Sequence, residues 1–166
     1  MGNKAVFFDR DGTINSNKEH YYVYRLEDFE FNPGVVNGIR RLNEAGFLVI
    51  VVTNQGGVAR GMYEARHVET LHAYMRVELR KQGARVDKVY YCPHHESVAP
   101  CHCRKPSPYM LVQAIERFDI DPARSFMIGD SQRDMEAARA AGVEGILVPS
   151  NSDITPAIDR VLGTGR

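Results

Sequence analysis

Two aspartates, Asp9 and Asp11, stand two positions apart where an apolar run of the sequence ends. Alternate residues of an extended chain point the same way, so their carboxylates are expected to lie side by side. Neighbouring carboxylates repel each other, and a hard divalent cation such as Mg²⁺ relieves that repulsion. Gly12 follows directly and allows the backbone to turn tightly beside a ligand. An Asp-x-Asp pair alone is more often solvated, so other residues must decide its meaning.

Further polar residues follow three later apolar runs of the chain. Thr53 and Asn54 come after the second run, Lys105 comes after the third run and a loop, and Asp130 comes after the fourth. In parallel sheets, ligands bind beyond the carboxyl ends of the strands, where several loops converge. We therefore expect these side chains to share one site with Asp9.

A second cluster of chemistry-bearing residues lies within residues 92–103. Its members are soft metal ligands: Cys92, His94, Cys101 and Cys103. Three thiols and an imidazole suit tetrahedral Zn²⁺ in a closed structural site, and His95 or His102 could replace one of them. Because three cysteines cannot form a complete set of disulfides, the alternative is reactive or buried thiols.

The elements that must position these residues alternate between apolar runs and helical patterns. This alternation predicts an α/β fold with a doubly wound parallel sheet. The predicted strands are residues 4–8, 47–52, 86–91, 125–128 and 145–148. Asn32 and Pro33 predict the start of a helix that ends near Gly46, and Ser107 and Pro108 predict another start. Apolar residues at helical spacing predict further helices over residues 68–79 and 135–141.

Length and charge limit the class of protein. The 166 residues fit a single domain, 1–166, with residues 163–166 as the only candidate tail. Lys and Arg number 21 and so do Asp and Glu, so no charge footprint for nucleic acid or a membrane surface is present. The longest apolar stretch is too short to span a bilayer, and the N-terminus does not read as a signal peptide. We expect a cytoplasmic monomer that acts on a small solute.

Four segments in order resemble the motifs of the haloacid dehalogenase superfamily of phosphatases. They are residues 9–13 (DRDGT), residues 52–54 (VTN), Lys105 within residues 104–106 (RKP), and residues 129–130 (GD) followed by Asp134. The resemblance covers nearly the whole chain and implies a Rossmann-like fold of that type. No bulky cap domain is evident between the motifs. The implied activity is Mg²⁺-dependent hydrolysis of a phosphomonoester.

The resemblance also implies a role for each matched residue. Asp9 would attack phosphorus, and Asp11 would act as general acid and then as general base. Thr53 would donate its hydroxyl to a phosphoryl oxygen, and Lys105 would neutralise charge between phosphate and nucleophile. Mg²⁺ would be held by the carboxylates of Asp9 and Asp130 and by the main-chain carbonyl of Asp11.

The sequence allows two interpretations of Asp134. In the superfamily an acidic residue at this place often lies just outside the metal ligands. On a helix that starts near Ser131, it could equally be a solvated charge in the first turn.

The cysteine loop resembles one subgroup of the superfamily. Its pattern, Cys-x-His followed by Cys-x-Cys-Arg-Lys-Pro, is similar to the D-glycero-D-manno-heptose 1,7-bisphosphate phosphatases and to their histidinol-phosphate phosphatase relatives. Residues 54–61 (NQGGVARG) follow the heptose pattern. This implies removal of the 7-phosphate from a phosphorylated sugar, in the biosynthesis of nucleotide-activated heptose for surface polysaccharide. The zinc would then position the loop that carries Arg104 and Lys105.

Arginine's forked donors suit the anionic far end or the hydroxyls of such a sugar, which favours Arg60 and Arg104 as contacts. Gly56 stands where relatives often carry serine. The residues expected to contact the substrate are Asn54, Gln55, Gly56, Arg60, Arg104, Lys105, His20 and Tyr22.

Three alternatives stay open. A histidinol-phosphate phosphatase has the same chemistry with a different leaving alcohol. A receiver-type phospho-accepting domain also combines acidic residues, a threonine and a lysine, but it needs neither a general acid two positions after the nucleophile nor a zinc loop. A polynucleotide 3′-phosphatase is disfavoured by the zero net charge.

Overall fold

The computed structural model describes residues 2–163 and contains one five-stranded, fully parallel sheet. The strand order is β3-β2-β1-β4-β5. The strands are β1 (Ala5–Phe8), β2 (Leu48–Asn54), β3 (Lys88–Cys92), β4 (Phe126–Gly129) and β5 (Glu144–Leu147). Each overlaps a predicted run, so the doubly wound α/β prediction is confirmed. No segment between these elements folds as a large cap domain.

Five helices cover the two faces of the sheet. They are α1 (Val35–Glu44), α2 (Ala65–Lys81), α3 (Tyr109–Arg117), α4 (Gln132–Ala140) and α5 (Thr155–Leu162), with short 3₁₀ turns at Leu26–Asp28 and Pro122–Arg124. Two apolar cores result, one on each face. β1 contributes Val6 and Phe8 to one core and Ala5 and Phe7 to the other. Because β1 is buried on both faces, its sequence is an unbroken apolar run.

The strand order places the reversal of winding beside β1. β1 pairs with β2 on one side and with β4 on the other. Phe8 stands level with Val51 of β2 and with Ile128 of β4. β1 and β4 therefore end within one residue of each other, while β2 runs three residues further, and their carboxyl ends border the crevice where doubly wound sheets bind ligands.

One helix prediction needs correction, and one helix was not predicted. α1 begins at Val35 after Gly34, whose φ of 79° lies in the left-handed region, and not at Pro33. The Asn32 amide does not cap this helix but donates to the carbonyl oxygen of Thr13 at 3.0 Å. Helix α5 was not predicted, because it spans only two turns.

The predicted tail at residues 163–166 lies outside the described residues from position 164 onward. Within residues 2–163, no helix is long and apolar enough to cross a membrane.

Candidate active site

Lys105 is the centre of the polar site at the carboxyl end of β1. Its ammonium group donates to Asp9 Oδ1 at 2.9 Å, to the carbonyl oxygen of Val52 at 2.8 Å and to Asp134 Oδ1 at 2.6 Å. These three bonds use all three of its hydrogens. The residue is only 2% exposed. Burial alone would lower the pKa of Lys105, but Asp9 and Asp134 outweigh that effect and raise it, so the ammonium stays charged.

Asn54 fixes the main chain of this lysine. Its side-chain oxygen accepts from the Lys105 amide at 3.0 Å, and its side-chain nitrogen donates to the Lys105 carbonyl at 3.2 Å. This reciprocal pair ties the end of β2 to the loop that follows the cysteine cluster. Asn54 lies at the cavity wall as expected, but its amide group is already committed to Lys105.

Asp134 is a buried charge and not a solvated one. It is 1% exposed, and its second carboxylate oxygen accepts from the amide and the hydroxyl of Ser131 at 3.2 and 3.1 Å. The two residues form a capping box that starts α4. The Asp134 carboxylate therefore accepts hydrogen bonds from the N-terminus of α4 and also orients Lys105.

Asp9 occupies an environment that favours a further cation. Burial raises its pKa well above the usual value, and the carboxylates of Asp134 and Asp130 add to this effect while Lys105 opposes it. Carboxylate oxygens of Asp9, Asp130 and Asp134 lie within 4.8 Å of one another. Three hard oxygen donors around one lysine leave excess negative charge, so this group fits Mg²⁺.

Asp130 follows β4 and is held in the same crevice. Its carboxylate accepts from the hydroxyl of Thr13 at 3.3 Å and from the hydroxyl of Ser150 at 2.6 Å. Gly12 makes this approach possible, because its φ is 86° and a Cβ there would collide with the Asp130 carboxylate. The glycine of the DRDGT segment is thus required both for the turn and for space.

Asp11 is oriented by four hydrogen bonds. Arg10 donates to Asp11 Oδ1 through Nε at 3.0 Å and through a terminal nitrogen at 2.7 Å, and Asn15 donates to the same oxygen at 3.0 Å. Gln55 donates to the other oxygen at 3.1 Å. Asp11 lies on the cavity wall, one residue beyond a fully buried arginine.

Arg10 was not singled out in the sequence, although its burial is complete. Its remaining donors bind the carbonyl oxygen of Val23 at 2.6 Å and His72 Nε2 at 3.1 Å. Because an arginine only donates, His72 accepts here and carries its proton on Nδ1. Burial and the neighbouring Arg10 lower the pKa of His72 to about 3. Periodicity in α2 gave no sign of this polar contact.

Gln55 links Thr53, at the end of β2, to Asp11. Besides its bond to Asp11, its nitrogen donates to Thr53 Oγ1 at 3.0 Å, and its oxygen accepts from the hydroxyl of Tyr63 at 2.6 Å. Thr53 is 1% exposed at the end of β2. All polar atoms of the Gln55 side chain are therefore engaged within the protein.

The four cysteine-loop residues converge as the spacing predicted. The Sγ of Cys92 lies 3.4 Å from His94 Nδ1 and 3.7 Å from Cys101 Sγ. The Sγ of Cys103 lies 3.2 Å from His94 Nδ1, 3.9 Å from Cys101 Sγ and, more closely, 2.8 Å from Cys92 Sγ. Thiolates around zinc lie about 3.8 Å apart if the Zn–S bonds are about 2.3 Å, so this donor set fits Zn²⁺.

The two other histidines of the loop point to different partners. His95 Nδ1 pairs with Ser97 Oγ at 2.7 Å, and the ring of His102 packs edge-on against Tyr109. The histidine that lies with the three cysteines is therefore His94.

These groups surround a cavity of about 400 Å³. Most predicted site residues line it: Asp9, Asp11, Tyr22, Thr53, Asn54, Gln55, Gly56, Arg104, Lys105, Asp130 and Asp134. His20 and Arg60 do not line it. His20 pairs with Asp28 at 3.2 Å, and Arg60 donates to the hydroxyl of Tyr22 at 2.7 Å. Residues that the sequence did not reveal also line it: Asn17, Tyr21, Tyr63, His95, Ser131, Arg133 and Ser150.

Known proteins are similar to this chain in sequence and in fold. A family model described as HAD-hydrolase-like matches residues 102–160. The D-glycero-beta-D-manno-heptose-1,7-bisphosphate 7-phosphatase of Escherichia coli (strain K12) is 45% identical over 159 residues, which cover 92% of this chain and 82% of that protein. The enzyme of the same name from Rhodopseudomonas palustris is 46% identical over 147 residues, which cover 85% of this chain and 81% of that protein.

The chain belongs to the heptose bisphosphate phosphatase family of the haloacid dehalogenase superfamily. The D,D-heptose 1,7-bisphosphate phosphatase of B. bronchiseptica, solved with magnesium and phosphate, superposes with a TM-score of 0.86. It is 30% identical, and the match covers 96% of this chain and 98% of that chain. The prediction of a phosphatase is thereby confirmed, and the receiver-domain alternative is wrong.

Membership of the heptose bisphosphate phosphatase family also agrees with the absence of a large cap within residues 2–163. Members of the wider superfamily with lower identity, such as a Thermococcus onnurineus HAD phosphatase at 15%, share the fold with a TM-score of 0.65. The B. bronchiseptica heptose bisphosphate phosphatase has both a higher identity and a higher TM-score than the Thermococcus onnurineus protein.

Proposed function

We propose that this phosphatase removes the 7-phosphate of D-glycero-D-manno-heptose 1,7-bisphosphate. The observation that carries the chemistry is the Asp9–Lys105 ion pair at the end of the central strand, inside the cavity. The relatives at 45% and 46% identity, which are named for this substrate, support the choice of sugar. The NQGGVARG segment at residues 54–61 supports it over histidinol phosphate.

In the first step, a carboxylate oxygen of Asp9 forms a bond to phosphorus while the bond from phosphorus to the sugar oxygen breaks. Asp11 gives its proton to the leaving sugar oxygen, so the sugar departs as an alcohol. In the second step, Asp11 takes a proton from water as the water oxygen attacks phosphorus. The bond between phosphorus and Asp9 then breaks, which releases inorganic phosphate and restores the aspartate.

The neighbouring residues stabilise charge and hold the reacting groups. Lys105 keeps its positive charge against Asp9, where negative charge accumulates during transfer. Thr53 lines the cavity together with Asp9, and Gln55 holds Asp11 and Thr53 in place by donating to both. Mg²⁺, when bound by the carboxylates of Asp9 and Asp130 and by the carbonyl of Asp11, neutralises phosphoryl charge.

The zinc cluster contributes to the site by positioning the loop that carries Arg104 and Lys105. Cys103, one of its four ligands, immediately precedes Arg104 and Lys105. A tetrahedral zinc site would therefore anchor the loop on one side, while Asn54 anchors it on the other. We assign the zinc a structural function. We further propose that the chain is a single domain that acts as a monomer, which sedimentation of the purified protein tests.

The decisive experiment compares kcat/KM for the heptose 1,7-bisphosphate, for histidinol phosphate and for common sugar phosphates. A preference for the heptose bisphosphate is expected, and a clear preference for histidinol phosphate would overturn the assignment. Asp9→Asn removes the nucleophilic oxygen and should abolish turnover. Glu116→Gln, a matched loss of charge at an exposed position on α3, should leave turnover unchanged.

A further inference from the structure

The two carboxylate oxygens of Asp11 have different surroundings. Asp11 Oδ1 accepts from Arg10 Nε at 3.0 Å, from a terminal nitrogen of Arg10 at 2.7 Å and from Asn15 at 3.0 Å. These three donors saturate the lone pairs of Oδ1. Asp11 Oδ2 accepts from the Gln55 amide at 3.1 Å, and a carboxylate oxygen has room for a hydrogen beside one such donor. The hydrogen that Asp11 gives to the leaving sugar oxygen is therefore carried by Oδ2.

Gln55 could face this oxygen in two ways. Its side-chain amide is planar, and a half-turn exchanges the Nε2 donor with the Oε1 acceptor. In the structure Nε2 faces Asp11 and also donates to Thr53 Oγ1 at 3.0 Å. After a half-turn, Oε1 would face Asp11 Oδ2 and would accept its hydrogen. Gln55 would then hold the hydrogen that the leaving group needs.

Tyr63 favours the orientation in which Gln55 donates to Asp11. The Tyr63 hydroxyl donates to Gln55 Oε1 at 2.6 Å. Both side chains are buried, with exposed fractions of 5% and 2%, so bulk water replaces this bond poorly. Burial also raises the pKa of Tyr63, so its hydroxyl keeps the hydrogen that it donates. A half-turn of Gln55 would leave that hydrogen without an acceptor, which is costly at a buried site.

The ring of Tyr63 is held in place by packing. It stacks on Tyr24, with the ring centroids 4.9 Å apart and an angle of 12° between the planes. Tyr22 meets it edge-on, with the centroids 5.8 Å apart. Gly57 lies directly beside the ring, since a Cβ at that position would collide with Tyr63 Cε1. The hydroxyl therefore approaches Gln55 from a fixed direction, and its removal would leave the ring in place.

We propose that Tyr63 is a positioning residue that fixes the orientation of the Gln55 amide, so that the acidic hydrogen of Asp11 stays available to the leaving group. This inference rests on the proposed function, which makes Asp11 the general acid. Tyr63 acts through Gln55 and not on the reacting atoms. Its effect belongs to the first step, because Asp11 is ionised in the second step and its carboxylate then attracts Nε2 by itself.

The test compares two leaving groups in Tyr63→Phe, which removes the hydroxyl and keeps the ring. One substrate is the alkyl phosphate that the wild type hydrolyses best, and the other is p-nitrophenyl phosphate. A sugar oxygen needs a proton to leave, whereas nitrophenolate leaves without one. Since kcat/KM reports the first step, its value for the alkyl phosphate should fall about five- to tenfold, as expected for the loss of one buried hydrogen bond. The value for p-nitrophenyl phosphate should change less than about twofold, because its reaction needs no general acid.

Two further variants test the route through Gln55. Gln55→Met removes the amide but keeps an unbranched side chain. In this background Tyr63→Phe should change kcat/KM for the alkyl phosphate less than about twofold, because the two residues act as one unit. Tyr24→Phe is the matched control, because it removes a hydroxyl from the ring stacked on Tyr63, and Tyr24 lines a depression outside the catalytic cavity. It should leave both substrates unaffected.

The outcomes separate this inference from the proposed function. If the best alkyl phosphate is not the heptose 1,7-bisphosphate, the substrate assignment is wrong and the role of Tyr63 is still tested. If Asp11→Asn lowers kcat/KM equally for both leaving groups, Asp11 is not the general acid and the proposed mechanism fails. If Tyr63→Phe lowers both substrates equally, or neither, the positioning role of Tyr63 is refuted. An undiminished effect of Tyr63→Phe in the Gln55→Met background would refute it as well.

Discussion

Removal of Asp134 tests whether the buried Lys105 depends on it. In Asp134→Ala, the lysine ammonium keeps Asp9 and the Val52 carbonyl but loses its shortest partner, at 2.6 Å. The Ser131 amide and hydroxyl lose their acceptor at the start of α4 as well. The variant thus leaves one hydrogen of a buried ammonium without its acceptor and a helix end uncapped.

The magnitude follows from the burial of the pair. Lys105 and Asp134 are 2% and 1% exposed, so solvent screens their interaction little. Breaking a buried pair by removing one partner lowers the free energy of unfolding by about 3–5 kcal/mol. For a chain of this size, each kcal/mol shifts Tm by roughly 2–4 °C, so Tm should fall by about 6–20 °C. A lysine displaced by about 1 Å would lower kcat about a hundredfold.

The free energy of unfolding is measured by urea titration, with circular dichroism as the signal. The zinc content of each sample is verified. Glu136→Ala is the matched control, because Glu136 is an exposed acidic residue on the same helix, and it should change stability by less than about 0.5 kcal/mol. Asp134→Asn retains an acceptor for Lys105 and should recover part of the stability. If Asp134→Ala loses no more unfolding free energy than Glu136→Ala, the ion pair between Lys105 and Asp134 does not organise the site.

Three further predictions concern the surroundings of the site. Metal analysis should find about one zinc per chain, strongly reduced in Cys101→Ser, and a full complement in that variant would mean that the ligand set is wrong. His72 has a pKa of about 3 in the folded state, below its unfolded value of about 6.5, so only the unfolded state gains its proton as pH falls. Between pH 6 and 4.5, the free energy of unfolding of the wild type should therefore fall by up to about 1.4 kcal/mol per pH unit relative to that of His72→Gln. Parallel curves of unfolding free energy against pH would contradict this. Arg10→Lys keeps the charge but loses the fork that holds Asp11, so kcat should fall about tenfold with KM unchanged, and an unchanged kcat would refute the positioning role.

Residues whose role depends on local sequence were predictable. Asp9 and Asp130 each follow a buried strand, and Thr53 lies at the end of another. Such strands appear as apolar runs because both of their faces are covered. Since parallel strands end at one edge, their following residues must meet there. The grouping of the three cysteines with His94 was predictable because these residues lie within one short loop.

Contacts between distant elements were not predictable. His72 lies on the apolar stripe of α2 and meets Arg10 across 62 positions of sequence, and no periodicity indicates that contact. Arg133 has the composition of a solvated helix residue, yet it lines the cavity because α4 starts beside β4. Arg60 looked like a sugar contact in its motif, whereas the structure pairs it with Tyr22.

The sequence by itself therefore determined the alternation of the five strands with the first four helices, the meeting of the strand-end polar residues in one cavity, and the four members of the cysteine-loop cluster, because short-range patterns encode each of these. Only the tertiary structure decided that Asp134 is buried against Lys105 and that Gln55 is committed to Asp11 and Tyr63. These pairings depend on how loops and helices pack across the sheet, and the spacing of residues along the chain does not specify that packing.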